Sequence, residues 1–340
     1  MTTTLSLQEV EDLSLRALQS SGANEANARS VAASILDCEA EGIHSHGLAR
    51  LPTYCEHLRC GKVDGKATPT YQKTGNAAVM VDAHDGFAHP AIDLGLKVVV
   101  PLAEETGIAA MGVTNSYNCG VCGYHVRRIA EAGKVALGFV NAPASIAPWG
   151  GRTPVFGTNP ISCGVPRAEA PPLVIDQSSS VIARSEVAVH ASRGEPLHEG
   201  WALDAEGRPT TDPAAALAGS MVPSGGYKGA GIALIVEVMA ALVTGAHLSV
   251  EASSFGDNEG GPPGTGQFFL AIDPDFFAGP EFLHRVEILV QAIESQEGTR
   301  LPGERRQALR KETAANGVTL PDALHQKLLG YCETVGAVEG

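Results

Sequence analysis

The chain has 340 residues, 44% of them hydrophobic, which is enough for one large domain or two closely packed ones with a sizeable core. Its formal net charge of −14 argues against nucleic acid or an anionic membrane as partner, since both select a basic face. An anionic substrate must therefore be met by a local cluster of positive charge.

The first residues, Met1 to Ser6, contain no basic stretch followed by an apolar one, so no secretory signal is read there. Ser6-Leu7-Gln8-Glu9 is a capping box that opens a helix to about residue 20. A second helix is expected from about Asn24 to Glu41, with Val31, Ile35 and Cys38 along one face and Gly42 placed to stop it. Pro52 is tolerated only near a helix start, so the next helix should begin near Leu51 and end at Gly61. Residues 44 to 50 then form a constrained turn.

From about residue 75 short β-rich runs alternate with helical ones: Ala77 to Val81, Ile108 to Val113, Val135 to Val140, Leu173 to Ile175 and Phe268 to Ile272, with helices near 88 to 106 and 123 to 133. This alternation predicts an α/β layered core. The apolar run Ala230 to Ala246 contains Glu237, is too short to span a membrane, and reads as a buried helix. Helix returns near 280 to 296, 304 to 315 and 321 to 331. The organisation expected is a helical segment over 1–74, an α/β core over 75–279, and C-terminal helices over 280–340 that pack back on it. Two stretches rich in Gly and Pro, Asn141 to Pro166 and Ser253 to Gln267, are expected to be irregular. Loops of that length usually bind something or cover a site.

His44-Ser45-His46-Gly47-Leu48-Ala49-Arg50 sets two imidazoles, a hydroxyl and a guanidinium close together at a helix boundary. Imidazole exchanges a proton near neutral pH, and guanidinium holds a carboxylate through two parallel hydrogen bonds. A small 2-oxo acid needs both. Metal binding by His44-x-His46 is disfavoured, because positions two apart on a helix face nearly opposite sides and no further ligand lies at suitable spacing. That weakens a metal-dependent hydrolase as the rival activity.

Seven scattered cysteines form no disulfide framework, and a reducing cytoplasm is the natural reading. Cys119-x-x-Cys122 lacks the small strand-and-helix domain of a dithiol redox protein and reads as small residues under a loop. No G-x-G-x-x-G follows an expected strand and no G-x-x-x-x-G-K-[ST] occurs, so neither a Rossmann domain nor a P-loop is supported. Instead Asp176-Gln177-Ser178-Ser179-Ser180 closes a strand and Ser224-Gly225-Gly226-Tyr227-Lys228-Gly229 leads into a helix, both suited to an anion.

Several segments, in order, resemble the malate/L-lactate dehydrogenase family, which is distinct from the Rossmann-type enzymes of similar name. They are the S-H-G-x-x-R core at Ser45 to Arg50, Asn115-Ser116, Pro148-Trp149-Gly150, Gly157-Thr158-Asn159-Pro160, Asp176-Gln177-Ser178, Gly226-Tyr227-Lys228-Gly229 and Pro302-Gly303-Glu304. The resemblance implies a non-Rossmann layered α/β fold with a mixed sheet and N- and C-terminal helices. It also implies an NAD(P)-dependent oxidoreductase that interconverts a small 2-oxo acid and its 2-hydroxy acid, of malate, lactate or sulfolactate type. The alternative it carries is reduction of pyrroline- or piperideine-2-carboxylate, which also present a carboxylate beside an sp² carbon.

On the same resemblance His46 is the proton donor and Arg50 the carboxylate clamp, with Asn118 and Thr158 on the substrate side; many relatives place another residue at His44, which is read as standing on the substrate side behind the residues that touch the substrate. Relatives usually carry histidine where this chain has Asn118. An amide holds an oxygen but supplies no proton, which makes Asn118 the candidate selectivity residue. Asp176, Gln177, Ser178, Ser179, Lys228, Gly229, Gly303, Glu304 and Arg305 are expected along an extended NAD or NADP molecule. The reading leans to NADP, because Arg184 and Arg305 could meet a 2′-phosphate. A homodimer is implied as well.

Overall fold

The computed structural model describes residues 1–333. Ser6 caps the first helix as the capping box requires: its hydroxyl accepts the Glu9 amide at 3.2 Å while the Glu9 carboxylate accepts the Ser6 amide at 2.7 Å. A short strand precedes it, so the chain opens as β1 (Thr2–Leu5), α1 (Leu7–Ser20), α2 (Glu25–Ala40) and α3 (Leu51–Arg59). The layered core follows as β2 (Thr70–Gly75), β3 (Ala78–Asp82), α4 (Ala88–Thr106), β4 (Ile108–Ser116), α5 (Cys122–Glu131), β5 (Val135–Val140), β6 (Ile161–Val165) and β7 (Leu173–Gln177). A small excursion comes next: α6 (Arg184–Arg193), β8 (Ala202–Leu203), β9 (Pro209–Thr210), α7 (Pro213–Ala218) and β10 (Ser220–Met221). Then come α8 (Tyr227–Glu237), continued by a π turn over Val238–Leu242, β11 (Thr265–Ile272), α9 (Glu281–Glu294), α10 (Glu304–Asn316), β12 (Val318–Pro321) and α11 (Asp322–Cys332).

The main sheet has seven strands in the order β2-β3-β4-β11-β5-β6-β7. β3 and β4 pair in parallel with α4 as their crossover, and the remaining neighbours pair antiparallel. The sheet is therefore mixed, as expected. Alternate residues of β11 face opposite sides: Phe269 joins Ile92, Val99, Met111 and Ile129 under α4 and α5, while Phe268 packs with Phe139, Val236 and Ala240 under α8. Helices on both faces shield the strands from water.

The C-terminal helices divide. α11 packs on α1 and α3, with Leu328 in one core with Leu18 and Leu51, and β12 pairs antiparallel with β1. α10 lies on α2, and α9 sets Val286 and Val290 against Val165 and Leu173 at the far strands.

Several local expectations are corrected. The stretch Asn141 to Pro166 is not irregular throughout, since β6 lies within it between β5 and β7. Its run Ile-Ser-Cys-Gly-Val carries Gly164 where a Cβ would stand 2.4 Å from the Val126 carbonyl, and that glycine hides the strand pattern. Thr265 to Gln267 likewise belong to β11 rather than to a loop. The sheet starts at β2, earlier than residue 75; every residue of this edge strand is exposed, so its sequence has no apolar alternation to read. The run from Ala230 is helical but not buried on all sides: Leu234, Ile235, Leu242 and Val243 are each more than half exposed. Glu237 is a buried hub there, accepting the Ser249 amide and hydroxyl at 2.6 Å each and the Asn159 amide at 2.8 Å.

Candidate active site

The site is built around a carboxylate. Glu39, near the end of α2, is almost wholly buried, and the turn after the helix folds over it. One Glu39 oxygen accepts the Leu48 amide at 2.6 Å and the other bonds His44 Nδ1 at 2.6 Å. A Cβ on Gly47 would lie 2.1 Å from that carboxylate, so the glycine of S-H-G is demanded by the close approach. Hydrogen bonding to Glu39 raises the His44 pKa, so His44 is a counter-ion for Glu39. His44 is thereby bonded to the support of the turn.

His46 follows on the same turn, half-buried, with the Ser45 hydroxyl 3.1 Å from its Nδ1. Burial, then Arg50 and Arg306, push its pKa down to about 4, so the imidazole is neutral in the free protein. Arg50 begins α3, four residues on. Its guanidinium sits over the Tyr54 ring at 5.8 Å and the Phe255 ring at 6.0 Å, and donates to the Phe255 carbonyl at 3.2 Å. Among the described residues it has no carboxylate partner. An unpaired guanidinium beside a neutral imidazole is what an incoming carboxylate needs.

Asn118 joins this group through Tyr54, whose hydroxyl donates to Asn118 Oδ1 at 2.9 Å. The Gly120 amide donates to the same oxygen at 2.7 Å, and an amide N–H can only donate, so the orientation of the carboxamide is fixed. Its Nδ2 is left as a donor without a partner among the described residues.

The segments expected to hold the cofactor also come together. The Ser179 amide donates to the Thr158 carbonyl and the Ser224 amide to the Ser179 carbonyl, both at 2.8 Å. Gly303 lies against Val174 of β7, and Asp176 accepts the Gly123 amide at the start of α5 at 2.8 Å. Desolvation raises the Asp176 carboxyl, partly offset by that amide and by Arg306. Gln177, Lys228, Glu304 and Arg305 are exposed. Ser179 is buried and its hydroxyl donates to the Asn159 carbonyl at 2.7 Å, so its side chain serves the fold. Arg184 is exposed and donates to the Leu217 carbonyl at 2.8 Å.

The residues suit a dinucleotide. α8 opens at Gly226 with no side-chain cap, and α10 opens in the same way at a left-handed Gly303. A Cβ at Gly229 would meet the Ser224 carbonyl at 1.9 Å, so this turn is as tight as backbone allows. Uncapped amides and an exposed Lys228 without an ionic partner among the described residues offer donors to a diphosphate.

Cys119 and Cys122 are buried with their thiols pushed up by desolvation, Cys119 to about 12, which leaves no thiolate for redox chemistry at neutral pH. Sequence reasoning missed Glu39, Tyr54, Phe255 and Arg306. Only Tyr54 carried a usable signal, since it stands one helical turn after Arg50.

The description "Malate/L-lactate dehydrogenase" names the family model that matches residues 5–329. The chain belongs to that family. It is an NAD(P)-dependent oxidoreductase of 2-hydroxy and 2-oxo acids, with cyclic imine carboxylate reduction as the other activity among relatives. It is 46% identical to the (2R)-3-sulfolactate dehydrogenase (NADP(+)) of Chromohalobacter salexigens, over 97% of this chain and 98% of that one. It is also 40% identical to Δ(1)-pyrroline-2-carboxylate reductase 2 of Burkholderia multivorans, over 97% of each chain. The crystal structure of Δ1-piperideine-2-carboxylate reductase from Pseudomonas syringae superposes with a TM-score of 0.92 at 36% identity, covering 97% of this chain and 99% of the other. The sulfolactate dehydrogenase structure from Methanocaldococcus jannaschii gives 0.89 at 27% identity, covering 97% and 96%.

Proposed function

We propose that this dehydrogenase works on a small open-chain 2-oxo acid and its 2-hydroxy acid in preference to a cyclic imine, with NADP(H) as cofactor. The fixed orientation of Asn118 carries this reading. Its free Nδ2 donates to a carbonyl or acidic oxygen, whereas a protonated imine nitrogen needs an acceptor, and Asn118 Oδ1 is already taken twice. Sulfolactate, the substrate named for the 46% identical relative, has the oxygens such a donor would meet.

In this reading Arg50 holds the substrate carboxylate and His46 protonates the carbonyl oxygen, acting as base in the reverse direction. The bound carboxylate offsets the charge of Arg50, which lowers the cost of protonating His46 and couples proton uptake to binding. Lys228, Gly229, Ser178 and the Gly303 turn would hold the cofactor, Thr158 would line the substrate side, and Asp176 with Gln177 would close the wall beside them. The cofactor, when bound, supplies the hydride for C2. NADP is favoured by the name of the same relative and by Arg305, which is exposed and without an ionic partner among the described residues. Arg184 is a weaker candidate, because its guanidinium already serves Leu217.

No helix among the described residues is long and apolar enough to cross a membrane. A cytoplasmic location is proposed on the unpaired cysteines, and a homodimer on the exposed face of α8. The deciding experiment is a steady-state panel of pyruvate, oxaloacetate, 3-sulfopyruvate and the two cyclic imine carboxylates, each with NADH and NADPH. An oxo acid with NADPH should give the highest kcat/KM. A higher value for either imine would reverse the order proposed here.

A further inference from the structure

Lys62 lies three residues past the end of α3, and none of its side chain reaches solvent. Its Nζ donates to the Ser254 carbonyl at 2.6 Å, to the Asp257 carbonyl at 2.9 Å and to Asp257 Oδ1 at 3.4 Å. Burying an ammonium is costly unless its protons are taken up, and here three oxygens of one segment take them. The only carboxylate among them is half exposed, so the arrangement gains more in geometry than in ion pairing.

His57, on the last turn of α3, grips the same segment. Its Nε2 faces the Asp257 carbonyl at 2.9 Å and must therefore carry the proton. Nδ1 is then an acceptor and takes the Tyr117 hydroxyl at 2.6 Å. Burial and the nearby Lys62 lower the His57 pKa, in keeping with that neutral form.

The grip leaves the Phe255 carbonyl to be used elsewhere. With the carbonyls of residues 254 and 257 held by Lys62 and His57, that of Phe255 between them accepts Arg50 Nη2. The Phe255 ring packs in turn against Tyr117, with centroids 5.4 Å apart, and its centroid stands 6.0 Å from the Arg50 guanidinium, as the Tyr54 ring does at 5.8 Å. A stretch that composition marks as a glycine-rich surface loop is thus tied to α3 at its N-terminal end.

We infer that Lys62, supported by His57, is a positioning residue for the reaction. It pins residues 254–257 so that Phe255 holds the Arg50 guanidinium in the orientation that receives the substrate carboxylate. Lys62 does not touch the substrate. The inference rests on Arg50 being the carboxylate clamp, and the test separates the two.

The probe is oxalate, an unreactive dicarboxylate the size of a 2-oxo acid, bound to the enzyme with saturating NADPH and followed by cofactor fluorescence. Lys62→Met keeps the length of the side chain and removes its donors. It should weaken oxalate about tenfold and leave NADPH affinity within about twofold, while in an Arg50→Met background it should add less than about twofold. His57→Gln, whose Nε2 can still donate to the Asp257 carbonyl, should bind oxalate better than His57→Leu. Should Lys62→Met fail to fold, His57→Leu taken through the same cycle with Arg50→Met decides. If Arg50→Met weakens oxalate and the Lys62 variant does not, or if the two effects multiply in the double variant, Lys62 does not act through Arg50. If Arg50→Met itself leaves oxalate unchanged, the clamp is another group and the inference falls with it.

Discussion

Burial, Arg50 and Arg306 all oppose a proton on His46, which ionises at about 4 in the free protein. The sign of the pH dependence follows. Oxidation of a hydroxy acid needs the neutral base, so its kcat/KM should stay flat from pH 8 down past 6.5 and fall only toward the low value. Reduction needs the protonated form, so its kcat/KM should keep rising as pH falls through the same window. His46→Gln should lower turnover by roughly 10²- to 10⁴-fold, leave NADPH affinity nearly unchanged and flatten both profiles. An acid limb near 6.5 in the oxidation profile would assign the proton to a different group. His46 and Arg50 were legible because proton donor and anion clamp lie on one short stretch. Phe255 and Arg306 were not, since they reach the site from more than two hundred residues away, and no local pattern marks that approach.

The turn carrying His46 takes its shape from α2, and this could not be read from the turn itself. Glu39 looks like one more charge on a helix; only the fold shows its carboxylate buried beneath Gly47 and Leu48. The bond to His44 makes a testable link between this support and stability. The folded His44 pKa is raised above its ordinary 6.5, so the contribution is fully present below 6.5 and is lost as pH rises through the folded value. The melting temperature of His44→Ala should therefore lie further below that of the unaltered protein at pH 6 than at pH 9. An equal gap at both would show that the pair is not ionic. β6 teaches the complementary lesson. Gly164 is needed where the strand crosses close to α5, and the glycine that permits the contact also erases the alternation by which strands are recognised.

The alternation of strands and helices was enough to expect a layered α/β molecule, and the capping box and stop signals placed most helices within a residue or two. What composition could not show is which side of α8 faces out. From Gly229 to Val243 every position but Glu237 is apolar or small, so this stretch has no polar stripe to mark the solvent side. In the structure Tyr227, Leu234, Val238 and Leu242 follow one another at helical spacing on the exposed side, with Ile235 and Val243 beside them. A soluble monomer rarely leaves such a continuous apolar face uncovered. With a net charge of −14, two copies repel at long range, so any pairing must be held by short-range apolar burial. A homodimer through this face should bury more than about 1,200 Å² in total and be tightened rather than weakened by salt, which screens the repulsion. Ile235→Glu combined with Leu242→Glu should then sediment as a monomer at micromolar concentration while the unaltered chain sediments as a dimer, because two carboxylates placed in the seam would lose their hydration without gaining partners. A double variant that remains dimeric would move the interface to another surface, such as that of the exposed Phe276, Phe277, Ile288 and Leu289 on and just before α9.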